Sequence, residues 1–207
     1  ILGGGLVRGS LVLLGGDPGI GKSTLLLQLS AALAKSSGTV LYVSGEESSQ
    51  QIKLRADRLG IVGQGLHVLA ETDMNAILDH LDRLSPTVAV IDSIQSVAFS
   101  EQSGGPGTIA QVRECGLALL RWAKASGTPT IVTGHVTKDG NLAGPRTLEH
   151  MVDVVLYLEG ENLGSHRLLR SVKNRFGSTN EIALFEMTKD GLKEVADPSS
   201  VLLNERS

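Results

Sequence analysis

The chain has 207 residues, 41% hydrophobic and 20% charged, which suits one globular domain with its own core and excludes a disordered segment. Its net charge of −3 gives no global basic footprint, and 3% aromatics are too few for base-stacking platforms, so any nucleic-acid contact must be local. A single cysteine, Cys115, excludes an internal disulfide and a cysteine-cluster zinc site, and no apolar run approaches the ~18 residues of a membrane span.

Taken in chain order, residues 10–14 (SLVLL) read as a short buried strand, 15–21 as a glycine-rich turn and 22–35 as a helix rich in leucine and alanine. Residues 39–43 (TVLYV) are a second strand that ends at Ser44-Gly45-Glu46-Glu47. Ser48 can cap a helix running to Leu59. Residues 66–70 form a weaker third strand. Asp73 can cap the next helix, where Ile77, Leu78, Leu81 and Leu84 keep the helical period until Ser85-Pro86 stops it. Residues 87–91 (TVAVI) have no polar face and belong in the middle of a sheet. A long glycine-rich loop follows, then a helix over 108–125 that carries Cys115 near its apolar face as a buried structural thiol. Residues 130–133 form a strand that runs into Gly134-His135.

Strand alternates with helix up to this point, which implies a parallel sheet covered on both faces. Beyond residue 150 the pattern changes to strands at 154–158, 167–172, 182–187 and 192–195, with hairpin signals at Asn162-Leu163-Gly164 and Asp190-Gly191. The expected fold is one α/β domain over 1–207. Its core, about 1–150, is a mainly parallel sheet flanked by helices, and antiparallel strands over about 151–207 extend it.

Residues 16–23 (GDPGIGKS) fit G-x-x-x-x-G-K-[ST] completely, with a strand before and a helix after. Glycines let successive backbone N–H groups turn inward around phosphate oxygens, and the helix start adds the positive end of its dipole. Gly16, Asp17, Pro18, Gly19, Ile20, Gly21, Lys22, Ser23 and Thr24 are therefore the expected nucleotide-binding residues. Lys22 should reach the β- and γ-phosphates, and Ser23 should hold Mg²⁺. The apolar strand 88–91 delivers one carboxylate, Asp92, beside that metal, with Ser93 as a hydrogen-bond partner.

Hydrolysis also needs a group that orients or deprotonates water. Glu46 and Glu47 stand just past the second strand, at the carboxyl edge where the nucleotide lies. Glu46 is the expected base because it follows the strand more closely, whereas Glu47 can serve as an acid at a helix start. His135 ends another strand at that edge and is either a γ-phosphate sensor or a satisfied polar residue. The segment 137–140 (TKDG) is not the N-K-x-D of GTPases, and Gln95 stands where a D-x-x-G starting at Asp92 needs glycine. ATP is favoured over GTP.

Six stretches carry a family resemblance: 2–5 (LGGG), 15–27 (GGDPGIGKSTLLL), 42–48 (YVSGEES), 90–95 (VIDSIQ), 134–145 (GHVTKDGNLAGP) and 173–177 (KNRFG). Together they resemble the bacterial RadA (Sms) DNA repair ATPases of the RecA/DnaB-like class. The last two are the most specific. Members of that family also carry a four-cysteine zinc module and a domain similar to Lon protease, so this chain looks like the central ATPase domain.

The resemblance implies a RecA-like P-loop fold using ATP and Mg²⁺ in a cytoplasmic homo-oligomeric, usually hexameric, ring. It implies movement on single-stranded DNA, branch migration of recombination intermediates and a recombinase partner. In such rings nucleotide sits between subunits, which gives Lys173 and Arg175 a role on the neighbour's γ-phosphate. The loop 135–147 is similar to a DNA-binding loop, with Lys138 and Arg146 as phosphate contacts. Arg55, one helix turn from Gln51, is either a base-stacking residue or part of a solvated face. Two other readings compete: an ATP switch similar to KaiC acting on protein partners without DNA, and a module that holds ATP without turnover. The presence of Glu46, Asp92 and Lys22 disfavours the latter.

Overall fold

The computed structural model describes residues 2, 4–135, 146–160, 164–196 and 198. Its strands are β1 (Leu11–Gly16), β2 (Val40–Ser44), β3 (Leu66–Ala70), β4 (Val88–Asp92), β5 (Thr130–His135), β6 (Val154–Glu159), β7 (His166–Asn174), β8 (Ile182–Thr188) and β9 (Gly191–Glu194). Its helices are α1 (Lys22–Ser37), α2 (Ser49–Arg58), α3 (Met74–Leu84), α4 (Ile109–Ser126) and the short α5 (Arg146–Glu149). The strands form one sheet in the order β3-β2-β4-β5-β1-β6-β7-β8-β9.

Period-two alternation in the inner strands divides the core. Leu11 and Leu13 of β1 pack with Ile77, Leu81 and Leu119 of α3 and α4, whereas Val12 and Leu14 pack with Leu26 and Leu27 of α1. Sheet residues that are apolar on both faces need helices on both sides, and the strand–helix alternation supplies them. Cys115 is fully buried in the α4 layer, and burial pushes its thiol up to about 12, so it is an inert core residue.

The helix starts show why α1 differs from its neighbours. Ser48 caps α2 with a capping box to Gln51, Asp73 caps α3 through the Ala76 amide, and Thr108 caps α4 through the Gln111 amide. At α1 the cap is Gly21 in a left-handed conformation, with no side chain accepting from the first turn. The orphan N–H groups of α1 are thus left to an external acceptor.

One expectation is corrected. The sequence reading grouped 154–158 with the antiparallel extension, but β6 runs parallel to β1, with Val12 opposite Val154 and Gly16 opposite Leu158. The parallel set therefore includes β6, and antiparallel pairing begins at β7. The antiparallel extension stays within the same sheet. It continues the sheet and returns to α1, where the Leu192 amide donates to Gln28 Oε1 at 3.0 Å and Gln28 Nε2 donates to the Leu192 carbonyl at 3.2 Å. The Asp190-Gly191 hairpin joins β8 to β9, with Gly191 at φ 110°. Of the Asn162-Leu163-Gly164 signal, the first two residues lie outside the described ones.

Candidate functional site

Parallel pairing brings four strand ends to one edge of the sheet. Gly16 of β1 lies opposite His135 of β5, and Ser44 of β2 lies opposite Asp92 of β4. The residues that follow β1 and β2, the phosphate loop and Glu46, must emerge at the same edge. This is the physical reason that Lys22, Glu46, Asp92 and His135, far apart in sequence, share one site.

The loop after β1 is shaped as a phosphate cradle. Gly16, Gly19 and Gly21 all have positive φ, at 155°, 76° and 115°. A Cβ at Gly16 would stand 2.5 Å from the Leu158 carbonyl oxygen, and one at Gly21 would stand 2.7 Å from Met187 Cε. At Gly16 both the conformation and the backbone contact require glycine, whereas at Gly21 the positive φ does and the flexible Met187 end could move. Lys22 is buried and turned back on the loop, donating to the Gly16 carbonyl at 2.8 Å and the Asp17 carbonyl at 2.9 Å. The Ile20 carbonyl accepts from Arg167 Nε of β7 at 3.2 Å, so the extension braces the loop's far side. Ser23, in the first turn of α1, makes no side-chain hydrogen bond to a described residue.

His135 links the loop to the acid. Its Nδ1 is 3.0 Å from Lys22 Nζ, and its Nε2 is 3.3 Å from Glu46 Oε1. A lysine ammonium can only donate, so Nδ1 accepts and the ring proton sits on Nε2, facing Glu46. The same Glu46 oxygen accepts from Ser93 Oγ at 2.5 Å. Gln95 clamps the end of β5, its amide nitrogen donating to the His135 carbonyl and its oxygen accepting from the His135 amide, each at 3.0 Å. The Gln95 that argues against a GTPase motif thus has a structural task at this site.

Electrostatics separate the two charged partners. Burial pulls the Lys22 pKa down to about 8, against the attraction of Asp92, Glu46 and Asp17. The His135 hydrogen bond leads in holding Glu46 down at about 2, helped by Ser93 and Lys22 and opposed by partial burial. Glu46 is therefore ionised at neutral pH, and its contribution to stability is present above about 4.5 and lost as pH falls through about 2. For Lys22 the native state binds fewer protons than the unfolded state between pH 8 and 10.5, so stability rises with pH across that window. Lys22→Met protein without nucleotide should hence be more stable than wild type at pH 7, by no more than about 2 kcal/mol after solvent screening. Thermal unfolding from pH 7 to 10.5 checks this. The gap should close at the alkaline end, and a pH-independent gap would refute the burial cause.

Asp92, 7% exposed, is held on both oxygens: Tyr42 Oη donates to Oδ2 at 2.5 Å and Thr133 Oγ1 to Oδ1 at 2.7 Å. Sequence reasoning missed both hydroxyls, because Tyr and Thr are ordinary strand formers. Their signal was a hydroxyl inside an otherwise apolar strand, which needs a buried partner. Glu47 is engaged elsewhere, with Arg55 Nη2 2.5 Å from its Oε1 and both side chains mostly buried. Arg55 is thus part-buried and paired with Glu47 rather than fully solvated.

Lys173 and Arg175 are not brought to this edge. β7 runs back, so Asn174 pairs with Val154 at the start of β6. About 17 Å of strand separates Leu11, beside them, from Gly16. Lys173 Nζ donates to the Glu149 and His150 carbonyls, and burial first and Arg175 second hold its pKa below the usual lysine range. Arg175 Nη1 lies 3.2 Å from buried Asp153, which also takes Lys124 at 2.9 Å and the Leu11 amide at 3.0 Å. Both cations are out of reach of their own phosphate loop. Lys138 and the Arg146 side chain lie outside the described residues.

The donor set fits a metal–triphosphate: free amides at the α1 start, a lysine, a hydroxyl at Ser23 and a carboxylate at Asp92. Residues 1–141 match the AAA domain family. The chain is 60% identical over its whole length to the DNA repair protein RadA of Bacillus subtilis (strain 168), of which it covers 45%. It is 58% identical over its whole length to the DNA repair protein RadA of Streptococcus pneumoniae (strain ATCC BAA-255 / R6), of which it covers 49%. It thus spans about half the length of the curated relatives it matches. A KaiC-like protein from the archaeon Pyrococcus horikoshii OT3 shares the fold, with a TM-score of 0.75, 22% identity and coverage of 93% of this chain and 92% of that one. A phosphate loop capped by no side chain, an acid strand end beside it and identity along the entire chain agree: the chain belongs to the AAA domain family and is the P-loop ATPase domain of the RadA group.

Proposed function

We propose that the chain is the ATP-hydrolysing motor domain of a DNA repair protein. It works as a homo-oligomeric ring, hexameric in the full protein, on single-stranded DNA in the cytoplasm. There it drives branch migration of recombination intermediates alongside a recombinase. The names of the RadA relatives support the repair role. The observation that carries the motor reading is the junction at His135. That residue bonds to Lys22 and Glu46 at one end and leads directly into the segment 136–145 at the other. After the segment, Leu148 is fully buried against Gly116 of α4. A change of nucleotide at His135 would therefore act at the start of the segment that carries Lys138.

In this reading Lys22, Thr24 and the loop from Gly16 to Ser23 bind the phosphates. Ser23 and Asp92 hold Mg²⁺, which when bound neutralises charge on the β- and γ-phosphates. Glu46 orients and deprotonates water, and His135 senses the γ-phosphate. Lys173 and Arg175 serve the neighbour's site, which fits their place at the opposite edge of the sheet. Among the described residues, no helix is long and apolar enough to cross a membrane.

The test is ATPase rate with and without single-stranded DNA. DNA should stimulate turnover, and a rate indifferent to DNA at saturating DNA would leave the protein-directed switch. Because the chain is acidic overall, contact must be local. Lys138→Ala with Arg146→Ala should weaken DNA binding and reduce the salt slope by roughly 1–2, at about 0.7 per lost phosphate contact. Nucleotide affinity should survive. An unchanged slope would move the DNA path elsewhere.

A further inference from the structure

The Asp92 carboxylate has unusually complete support. Ser44 lies opposite Asp92, and Tyr42 stands two residues earlier on the same face of β2. It is a diagonal neighbour, within reach of an aromatic side chain. From the other flank, Thr133 follows the Ile91–Val132 pair on β5. Tyr42 is 1% exposed and Thr133 is fully buried. Each donates to a different oxygen, Tyr42 to Oδ2 and Thr133 to Oδ1.

An ionised carboxylate offers about four lone-pair sites. With one hydroxyl on each oxygen, the carboxyl plane is fixed while each oxygen keeps accepting capacity. Lys22 is close enough to feel the Asp92 charge, yet donates to the Gly16 and Asp17 carbonyls. A buried tyrosine hydroxyl could be satisfied by any acceptor. Two hydroxyls from two different strands on the two oxygens of this carboxylate serve orientation.

We propose that Tyr42 and Thr133 are positioning residues for magnesium, fixing the Asp92 carboxylate so that the metal–nucleotide meets it already oriented. The inference rests on the reading of Asp92 as a metal-holding residue. Residues behind a metal ligand typically contribute 10–100-fold in metal affinity when removed, and that is the size of effect expected here.

The experiment titrates Mg²⁺ into protein with a fluorescent ATP analogue and reads the metal concentration at half-maximal enhancement of nucleotide binding. Nucleotide affinity in EDTA is measured alongside, and Mn²⁺ binding is followed by electron spin resonance. Tyr42→Phe keeps the ring and Thr133→Val keeps the shape, so each removes one hydroxyl. Each should raise the metal requirement about 10-fold or more with affinity in EDTA unchanged, and Thr133→Ser should restore the wild-type value. A requirement that stays within about threefold of wild type, or falls, overturns the proposal. So does a loss of EDTA affinity that matches the loss with metal, which is what a merely structural role would give. If Tyr42→Phe is too unstable to measure, the Thr133→Val and Thr133→Ser pair reads the same quantity. Asp92→Asn in the same titration separates the two layers. No effect of Asp92→Asn sinks the metal role itself, whereas an effect there without one at Tyr42 or Thr133 sinks the positioning role alone.

Discussion

Glu46→Gln protein should bind ATP as wild type does and hydrolyse it at least ~10²-fold more slowly, the usual loss on removing a general base. The geometry separates Glu46 from its neighbour. Glu47 is paired with Arg55, whereas Glu46 is about half exposed at the site edge, facing His135 and Lys22. Its pKa of about 2 makes it a weak base while His135 and Ser93 donate to it. A bound triphosphate would bring negative charge and compete for Lys22, and either change would act to raise the Glu46 pKa. Glutamine keeps the oxygen that accepts from Ser93 and removes the charge. Nucleotide affinity and single-turnover hydrolysis, measured for Glu46→Gln and Glu47→Gln, decide the matter. Undiminished chemistry in Glu46→Gln with a dead Glu47→Gln would transfer the role to Glu47.

How far the sequence spoke depended on the range of each interaction. The phosphate loop was legible because its chemistry is local: glycines at fixed spacing, one lysine and one hydroxyl within eight residues. Asp92, Glu46 and His135 were legible together because parallel strands bring their carboxyl ends to one edge, whatever the lengths between them. The direction of β6 was not. An apolar run of five residues, 154–158, looks the same parallel or antiparallel, and its partner β1 lies some 140 residues earlier. Support of Asp92 was hidden for a similar reason, since Tyr42 and Thr133 are separated by the whole α2–α4 region. Asp153 carried no signal at all. A lone acid before a strand reads as surface, yet it is 2% exposed and ties the start of β1, the end of α4 and the KNRFG stretch together.

That tie shapes the expected behaviour of Arg175. Arg175→Ala should lower ATP hydrolysis by ~10³–10⁵-fold, the value of a cation delivered to a γ-phosphate by a neighbouring subunit. The loss should not come from misfolding. Burial opposes ionisation of Asp153, but the Lys124 and Leu11 hydrogen bonds, with the charges of Lys124 and, last, Arg175, together keep the pKa below the usual aspartate range. Both hydrogen bonds remain in Arg175→Ala, so the carboxylate is not orphaned and circular dichroism and melting should stay close to wild type. The decisive measurement mixes Arg175→Ala with Lys22→Ala, each inactive alone. A mixed ring contains interfaces with an intact phosphate loop on one side and an intact Arg175 on the other, so activity should return on mixing and depend on protein concentration. Arg175 must leave Asp153 to reach across, and Lys124 then remains to balance that buried charge. Mixtures that stay dead despite co-assembly, or a monomer that hydrolyses at the full rate, would return Arg175 to a purely structural partner of Asp153.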